Sequence, residues 1–212
     1  MIRLFNAFVK LTGLPAALPV FRTKVYYEDK AAQGRHIKGA AVLVSNHTSV
    51  FDYAVYLFVF FTRTLRTLMA EVLFEKKLLA LFLKLMGGIR IDRGSSEYGY
   101  MGKCEQILRK GGVLCVFPEG RLPLKDETPP LPFRPGAAYL SLCTGAPVIP
   151  VYTDGAYFGK ARARVVIGAP IVPPEGVSCA DPAAVEEYNS RLRQKIISLG
   201  ELLEKRRKEE KA

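Results

Sequence analysis

The chain has 212 residues, 49% hydrophobic and 24% charged, which supplies a core for about one domain and excludes a disordered chain. Its 18 glycines and 14 prolines follow no period, which excludes a collagen-like repeat. The 31 Lys and Arg against 20 Asp and Glu leave a formal charge of +11, so the surface attracts polyanions: nucleic acid, an anionic membrane or phosphorylated substrates.

Residues 1–38 form a basic segment, with seven Lys and Arg against Glu28 and Asp29. Within Met1–Leu14, the side chains Ile2, Leu4, Phe5, Phe8, Val9 and Leu11 recur at helical spacing. That pattern predicts a short amphipathic helix. Its apolar stripe either lies in a headgroup plane or docks on the protein's own core. The stretch Leu11–Phe21 ends in Arg22 without a small-residue cleavage site, so it is not read as a cleaved signal peptide. No uncharged apolar run approaches the roughly 20 residues that cross a bilayer, and attachment is expected to be peripheral.

From residue 39 to 212 the pattern alternates between strand and helix. Strands are predicted at Ala40–Ser45, Leu65–Ala70, Ile89–Asp92, Val113–Phe117, Val148–Thr153 and Arg164–Ile167. Between them fall helices at Asp52–Thr62, Lys76–Met86, Glu97–Lys110 and Pro135–Thr144, and a long amphipathic helix at Asp181–Lys208 follows. Leu122–Pro135 carries five prolines and is predicted to be a long loop. The fold class is α/β: a single domain whose largely parallel sheet is covered by helices, flanked by the N-terminal amphipathic helix and the long C-terminal one.

Cys104, Cys115, Cys143 and Cys179 form no C-x-x-C pair, and His36 and His47 are the only histidines. A zinc cluster is therefore not expected. Four reduced thiols in a cytoplasmic setting are expected instead.

The sharpest local feature follows the first buried strand: Asn46-His47-Thr48-Ser49-Val50-Phe51-Asp52. On a continuous helix, five steps of ~100° would hold His47 and Asp52 about 140° apart. With His47 in the loop and Asp52 in the first helical turn, the carboxylate can hold one ring nitrogen and leave the other as a base. The same stretch contains Ser49-x-x-Asp52, a helix-capping pattern that accounts for the aspartate without chemistry. Two more strand ends carry arginine beside glycine, Gly88-Ile89-Arg90-Ile91-Asp92-Arg93-Gly94 and Phe117-Pro118-Glu119-Gly120-Arg121. Arginine's planar fork suits phosphate, although such turns also occur as ordinary surface ion pairs. In a parallel sheet all three turns open on one mouth.

Taken in order with Val148-Ile149-Pro150-Val151, these blocks resemble the glycerophospholipid acyltransferase family, typified by 1-acylglycerol-3-phosphate acyltransferases. The resemblance covers about Leu43 to Tyr152 and includes Phe133-Arg134-x-Gly136. It implies direct transfer of an acyl group from acyl-CoA or acyl carrier protein to a lysophospholipid hydroxyl, with neither cofactor nor metal. The leading acceptor it implies is 1-acylglycerol-3-phosphate. By that resemblance His47 is the general base and Asp52 orients it. Arg93, Glu119, Gly120 and Arg121 serve the acceptor phosphate, and Asn46, Gly88, Asp92, Phe117 and Pro118 support the motifs. Since a carboxylate repels phosphate, Glu119 is expected to hold Arg93 or Arg121 rather than touch the ligand. The third block departs from its common form, because Arg121 follows Glu119-Gly120 with no small hydroxyl residue between. A similar Glu-Gly-Arg occurs in relatives that reacylate lysophospholipids with larger head groups.

The expected partners are thus a lysophospholipid, an acyl thioester and an anionic membrane surface, at the cytoplasmic face. The rival class, a basic nucleic-acid-binding module, lacks a recognised motif and any regular interleaving of aromatics with Lys and Arg. The aromatics cluster in Tyr53–Phe61 instead.

Overall fold

The computed structural model describes residues 1–91, 99–158 and 162–210. In chain order it contains α1 (Ile2–Phe21), β1 (Lys24–Tyr27), β2 (Ala41–Ser45), α2 (Asp52–Val59), β3 (Leu65–Ala70), a 3-10 turn (Glu71–Phe74) and α3 (Lys77–Met86). There follow β4 (Ile89–Ile91), α4 (Gly99–Arg109), β5 (Val113–Val116), α5 (Gly136–Thr144), β6 (Val148–Thr153), β7 (Arg164–Ile167) and α6 (Pro182–Glu209).

Among the described residues seven strands form one sheet, in the order β1-β7-β6-β2-β5-β3-β4. Strands β6, β2, β5, β3 and β4 are mutually parallel. β7 runs antiparallel to β6, and β1 pairs in parallel with β7. Central β2 is buried along its whole length, with Val42 and Val44 on one face and Ala41 and Leu43 on the other. A strand enclosed on both faces needs apolar residues at every position, which explains why AVLVS does not alternate. On one face α4, α5 and α6 contribute Leu108, Leu140, Leu192, Ile196 and Leu199. On the other, α2 contributes Val55, Tyr56 and Val59. Gly87, at φ 102, ends α3 in the left-handed conformation that favours glycine, and the chain turns into β4.

Edge strand β1 was not among the predicted elements. Its sequence, KVYY, is half-buried throughout and lacks the apolar run that marks the central strands. The N-terminal helix also runs past its predicted end, through Pro15 and Pro19 to Phe21. Proline usually stops a helix by removing an N–H donor, yet the Arg22 N–H still closes on the Leu18 carbonyl. At 20 residues and mean hydropathy 1.4, α1 is long and apolar enough to cross a membrane by length and composition. This corrects the expectation that no segment reaches that length. The sequence count stopped at Lys10, but Lys10 turns inward, only 2% exposed. Its Nζ donates to the carbonyls of Phe60 (3.4 Å), Phe61 (3.0 Å) and Arg63 (2.6 Å).

Burial pushes the Lys10 ammonium from 10.5 down to about 8. Between those values the unfolded chain binds the proton more tightly than the folded one. Stability should therefore rise with pH from about 8 towards 10.5. In Lys10→Met that rise disappears. Three carbonyls also lose a charged donor, at a cost of roughly 2–3 kcal/mol at pH 7. Urea unfolding of both proteins across pH 7–10 checks the two effects.

The expectation of four reduced thiols is corrected. Cys143, in the last turn of α5, and Cys179, just before α6, form a disulfide with Cα atoms 5.2 Å apart, while Cys104 and Cys115 are free and buried. The pair lies 36 residues apart in sequence and meets because α5 packs on α6, a proximity that sequence spacing does not report.

Candidate active site

The site grows from the C-terminal end of β2. Asn46 is fully buried and clamps β2 to β6: its Nδ2 donates to the Thr153 carbonyl (2.9 Å), and its Oδ1 accepts from the Thr153 N–H (2.9 Å). The chain leaves the sheet at that point, which places His47 in the loop and Asp52 at the first residue of α2. His47 Nδ1 lies 2.8 Å from Asp52 Oδ2, the contact that a continuous helix would forbid. The imidazole stacks on Phe117 from the end of β5, with ring centroids 4.3 Å apart and planes 23° apart. Nε2 has no protein partner among the described residues.

Asp52 is fully buried and saturated. Oδ2 also accepts from the Thr48 N–H (2.7 Å) and the Ser49 N–H (3.0 Å). Oδ1 accepts from Thr48 Oγ1 (3.0 Å) and Tyr157 Oη (2.7 Å). The bond to the Ser49 N–H is one half of the capping pattern. The other half is displaced by one residue, because Ser49 Oγ accepts from the Phe51 N–H (3.2 Å) rather than from the Asp52 N–H. One carboxylate thus holds both the imidazole and the turn that carries it.

Glu119 sits at the neighbouring strand end and is buried. It does not hold Arg121. Oε1 accepts from the His47 N–H (2.8 Å) and Oε2 from the Leu131 N–H (2.7 Å). Burial raises the carboxyl's pKa, and the two N–H donors oppose that rise. Glu119 therefore ties the histidine loop to the proline-rich loop, which Asn189 and Arg193 of α6 also hold through the carbonyls of Phe133, Leu131 and Pro130. Arg121 turns instead to Glu127, with two N–O contacts of 2.5 Å, and that arginine holds the Glu127 carboxyl down at about 2. The expected Glu119–Arg121 pair fails because Glu127, six residues on, meets the guanidinium's fork in the open while Glu119 faces inward. Gly120 adopts φ +73, and a Cβ there would stand 2.8 Å from Arg134 Nε. The glycine is therefore needed both for the turn and for the close approach of Arg134. Pro118 fixes that neighbour further, since its carbonyl accepts from the Arg134 N–H (2.8 Å).

These parts open on a cavity of about 470 Å³. His47, Gly120, Arg121 and Arg134 bring polar groups to its lining, and Val50, Leu68, Met69, Leu73, Leu79 and Leu83 contribute apolar side chains. Gly88 backs this wall: a Cβ would press on Met69 Sδ and the Leu83 carbonyl, each at 3.0 Å. β4 runs parallel to β3, and Ile91, its last residue, lines the cavity. Asp92 and Arg93 lie outside the described residues. Sequence reading missed Tyr157, which sits four residues beyond β6 in no motif block. It also missed the backbone role of Glu119, which no residue pattern encodes.

A family model described as Acyltransferase matches residues 22–154. Over 169 residues the chain is 26% identical to human 1-acyl-sn-glycerol-3-phosphate acyltransferase beta, covering 74% of this chain and 60% of that protein. Over 153 residues it is 29% identical to the 1-acyl-sn-glycerol-3-phosphate acyltransferase of Limnanthes douglasii, covering 68% and 53% respectively. The chain thus spans only a little over half the length of these relatives. The fold is shared with the crystal structure of the 1-acyl-sn-glycerophosphate (LPA) acyltransferase PlsC from Thermotoga maritima, at a TM-score of 0.66 and 20% identity over 95% of this chain and 79% of that one. With a matching model that covers more than half its length, the chain belongs to the Acyltransferase family.

Proposed function

We propose that this protein transfers a fatty acyl group from an acyl thioester, acyl-CoA or acyl carrier protein, to the free hydroxyl of a lysophospholipid. The proposed acceptor is 1-acylglycerol-3-phosphate and the product phosphatidic acid. The observation that carries this reading is the His47–Asp52 pair at 2.8 Å, with His47 in the wall of a largely apolar cavity. An alcohol is a weak nucleophile, so a neutral imidazole must take its proton as it attacks. Asp52 accepts from Nδ1–H, which leaves Nε2 to receive that proton. The new oxygen–carbonyl bond forms, the carbon–sulfur bond breaks, and His47 returns the proton to the departing thiolate. The acyl chain occupies the apolar wall from Met69 to Leu83, and the acceptor's phosphate lies towards the arginines.

A panel of lysophospholipids with labelled acyl-CoA tests this reading: 1-acylglycerol-3-phosphate is expected to be the best acceptor. Preference for a larger head group would instead favour the reacylation reading, which Arg121's engagement by Glu127 makes worth separating. Arg93→Ala is expected to raise the acceptor KM about ten- to a hundredfold, the loss of one charge-assisted phosphate contact, with the donor KM unchanged. A change confined to the donor KM would reverse the assignment.

The proposed location is a membrane surface, which supplies both acyl substrates. On α1 the polar residues Asn6 and Lys10 face the domain, whereas Leu4, Phe8, Leu11 and Leu18 are at least 61% exposed. Leu78, Leu81 and Phe82 of α3 continue that surface. Because Asn6 Nδ2 donates to the Met86 carbonyl (3.1 Å) and Lys10 to the end of α2, the helix lies along the domain. Shallow insertion of this face, with charge attraction from the basic surface, holds the protein on anionic lipid. The double substitution Phe8→Glu/Leu11→Glu leaves the buried contacts alone and should weaken vesicle co-sedimentation at least ~100-fold, since each side chain gives up roughly 1.5–3 kcal/mol of burial. Undiminished sedimentation would refute insertion through α1.

A further inference from the structure

We propose that Tyr157 is a positioning residue for the catalytic pair and that Phe21, the last residue of α1, holds it in place. The proposal rests on the acyl-transfer reading of His47 and Asp52, and its test separates the two. Tyr157 lies in the turn after β6, only 8% exposed, and belongs to none of the sequence blocks. Its Oη donates to Asp52 Oδ1 at 2.7 Å and lies 2.9 Å from Thr153 Oγ1. A phenol placed there stays protonated, since burial and the Asp52 charge both raise its pKa. It therefore acts as a fixed donor and takes no proton in the reaction.

The donor's direction matters because Asp52 has only one other contact on Oδ1, from Thr48 Oγ1, whereas the imidazole and two N–H groups share Oδ2. Without Tyr157, Oδ1 keeps only the Thr48 Oγ1 contact, and the carboxylate is held less firmly against rotation about its Cβ–Cγ bond. The Tyr157 ring is in turn held edge-on by Phe21, with centroids 6.1 Å apart and planes at 81°. Phe21 also meets Phe51 and Phe158, the latter two packed at 4.8 Å. A continuous path of contacts thus runs from α1 through Phe21 and Tyr157 to Asp52 and His47. Seating α1 on a membrane surface would stabilise the same arrangement that aligns the base.

The test compares wild type, Tyr157→Phe, Phe21→Ala and the double variant, at saturating donor and acceptor in mixed micelles. Tyr157→Phe keeps the ring and loses only the hydroxyl. It is expected to lower kcat about tenfold, a part of the ~10²–10⁴-fold that a positioned base contributes, with both KM values unchanged. Phe21→Ala is expected to lower kcat in the same way, and the double variant to be no worse than Tyr157→Phe alone. Phe21→Leu, which refills the space, should restore most of the loss. The downfield proton resonance of the His47 Nδ1–H···Asp52 bond provides a readout that needs no turnover. It should be present in wild type and broadened or shifted in Tyr157→Phe and Phe21→Ala. Unchanged kcat and resonance in Tyr157→Phe would overturn the positioning role, and multiplicative losses in the double variant would overturn the link through Phe21. A wild type that shows the resonance but transfers no acyl group would instead refute the acyl-transfer reading and leave the positioning geometry standing.

Discussion

His47→Ala is expected to lower kcat by at least ~10²-fold, the usual contribution of a positioned general base, while both KM values stay within a few-fold of wild type. The prediction follows from the contrast between the two ring nitrogens. Nδ1 is committed to Asp52 at 2.8 Å, and Nε2 faces the cavity without a protein partner among the described residues. The fold should survive. The imidazole is partly exposed, and the loop is held by its backbone, with the His47 N–H on Glu119 and the neighbouring N–H groups on Asp52. Steady-state kinetics with circular dichroism on the same preparation decide the matter. Near-normal kcat in a folded His47→Ala protein would end this mechanism.

Asp52→Asn should be as damaging, for a different reason. The amide keeps the shape and can still accept from Thr48 and Ser49, so the turn into α2 remains. What it loses is the negative charge that orients the Nδ1–H tautomer and stabilises the imidazolium formed during proton transfer. In the Ser-His-Asp hydrolases the same exchange costs about 10⁴ in kcat. A loss of roughly 10²–10⁴ is expected here, with a melting temperature lowered by no more than a few degrees. If Asp52→Asn unfolds the protein while Tyr157→Phe leaves it intact and fully active, the carboxylate serves only to cap the turn.

Much of this architecture could be read from the chain. The central parallel strands β2, β5 and β6 are short runs such as AVLVS and VLCV, apolar at almost every position because the sheet is covered on both faces there. That enclosure leaves a composition signal. Edge strand β1 leaves none, since KVYY is half-solvated and pairs only with β7. The length of α1 was hidden by Pro15 and Pro19, which the helix carries, and its apolar run by Lys10, whose charge the carbonyls at the end of α2 absorb. In the site, motif spacing carried His47 and Asp52. It could not reveal that Glu119 holds backbone N–H groups, nor that Arg121 prefers Glu127, because both depend on which way a side chain leaves its turn. The Tyr157 contact joins residues 105 apart in sequence, and the disulfide depends on the packing of α5 against α6.

The most direct test of the central claim is a single-turnover reaction of the purified protein with radiolabelled acyl-CoA and 1-acylglycerol-3-phosphate, quenched over time and resolved into lipid and protein fractions. Direct transfer catalysed by His47 and Asp52 predicts label passing straight into phosphatidic acid with one free thiol released per product. It also predicts no labelled protein at any time, and His47→Ala slowed by at least ~10²-fold. Label accumulating on the protein before the lipid, or lipid product formed equally fast by His47→Ala, would contradict it.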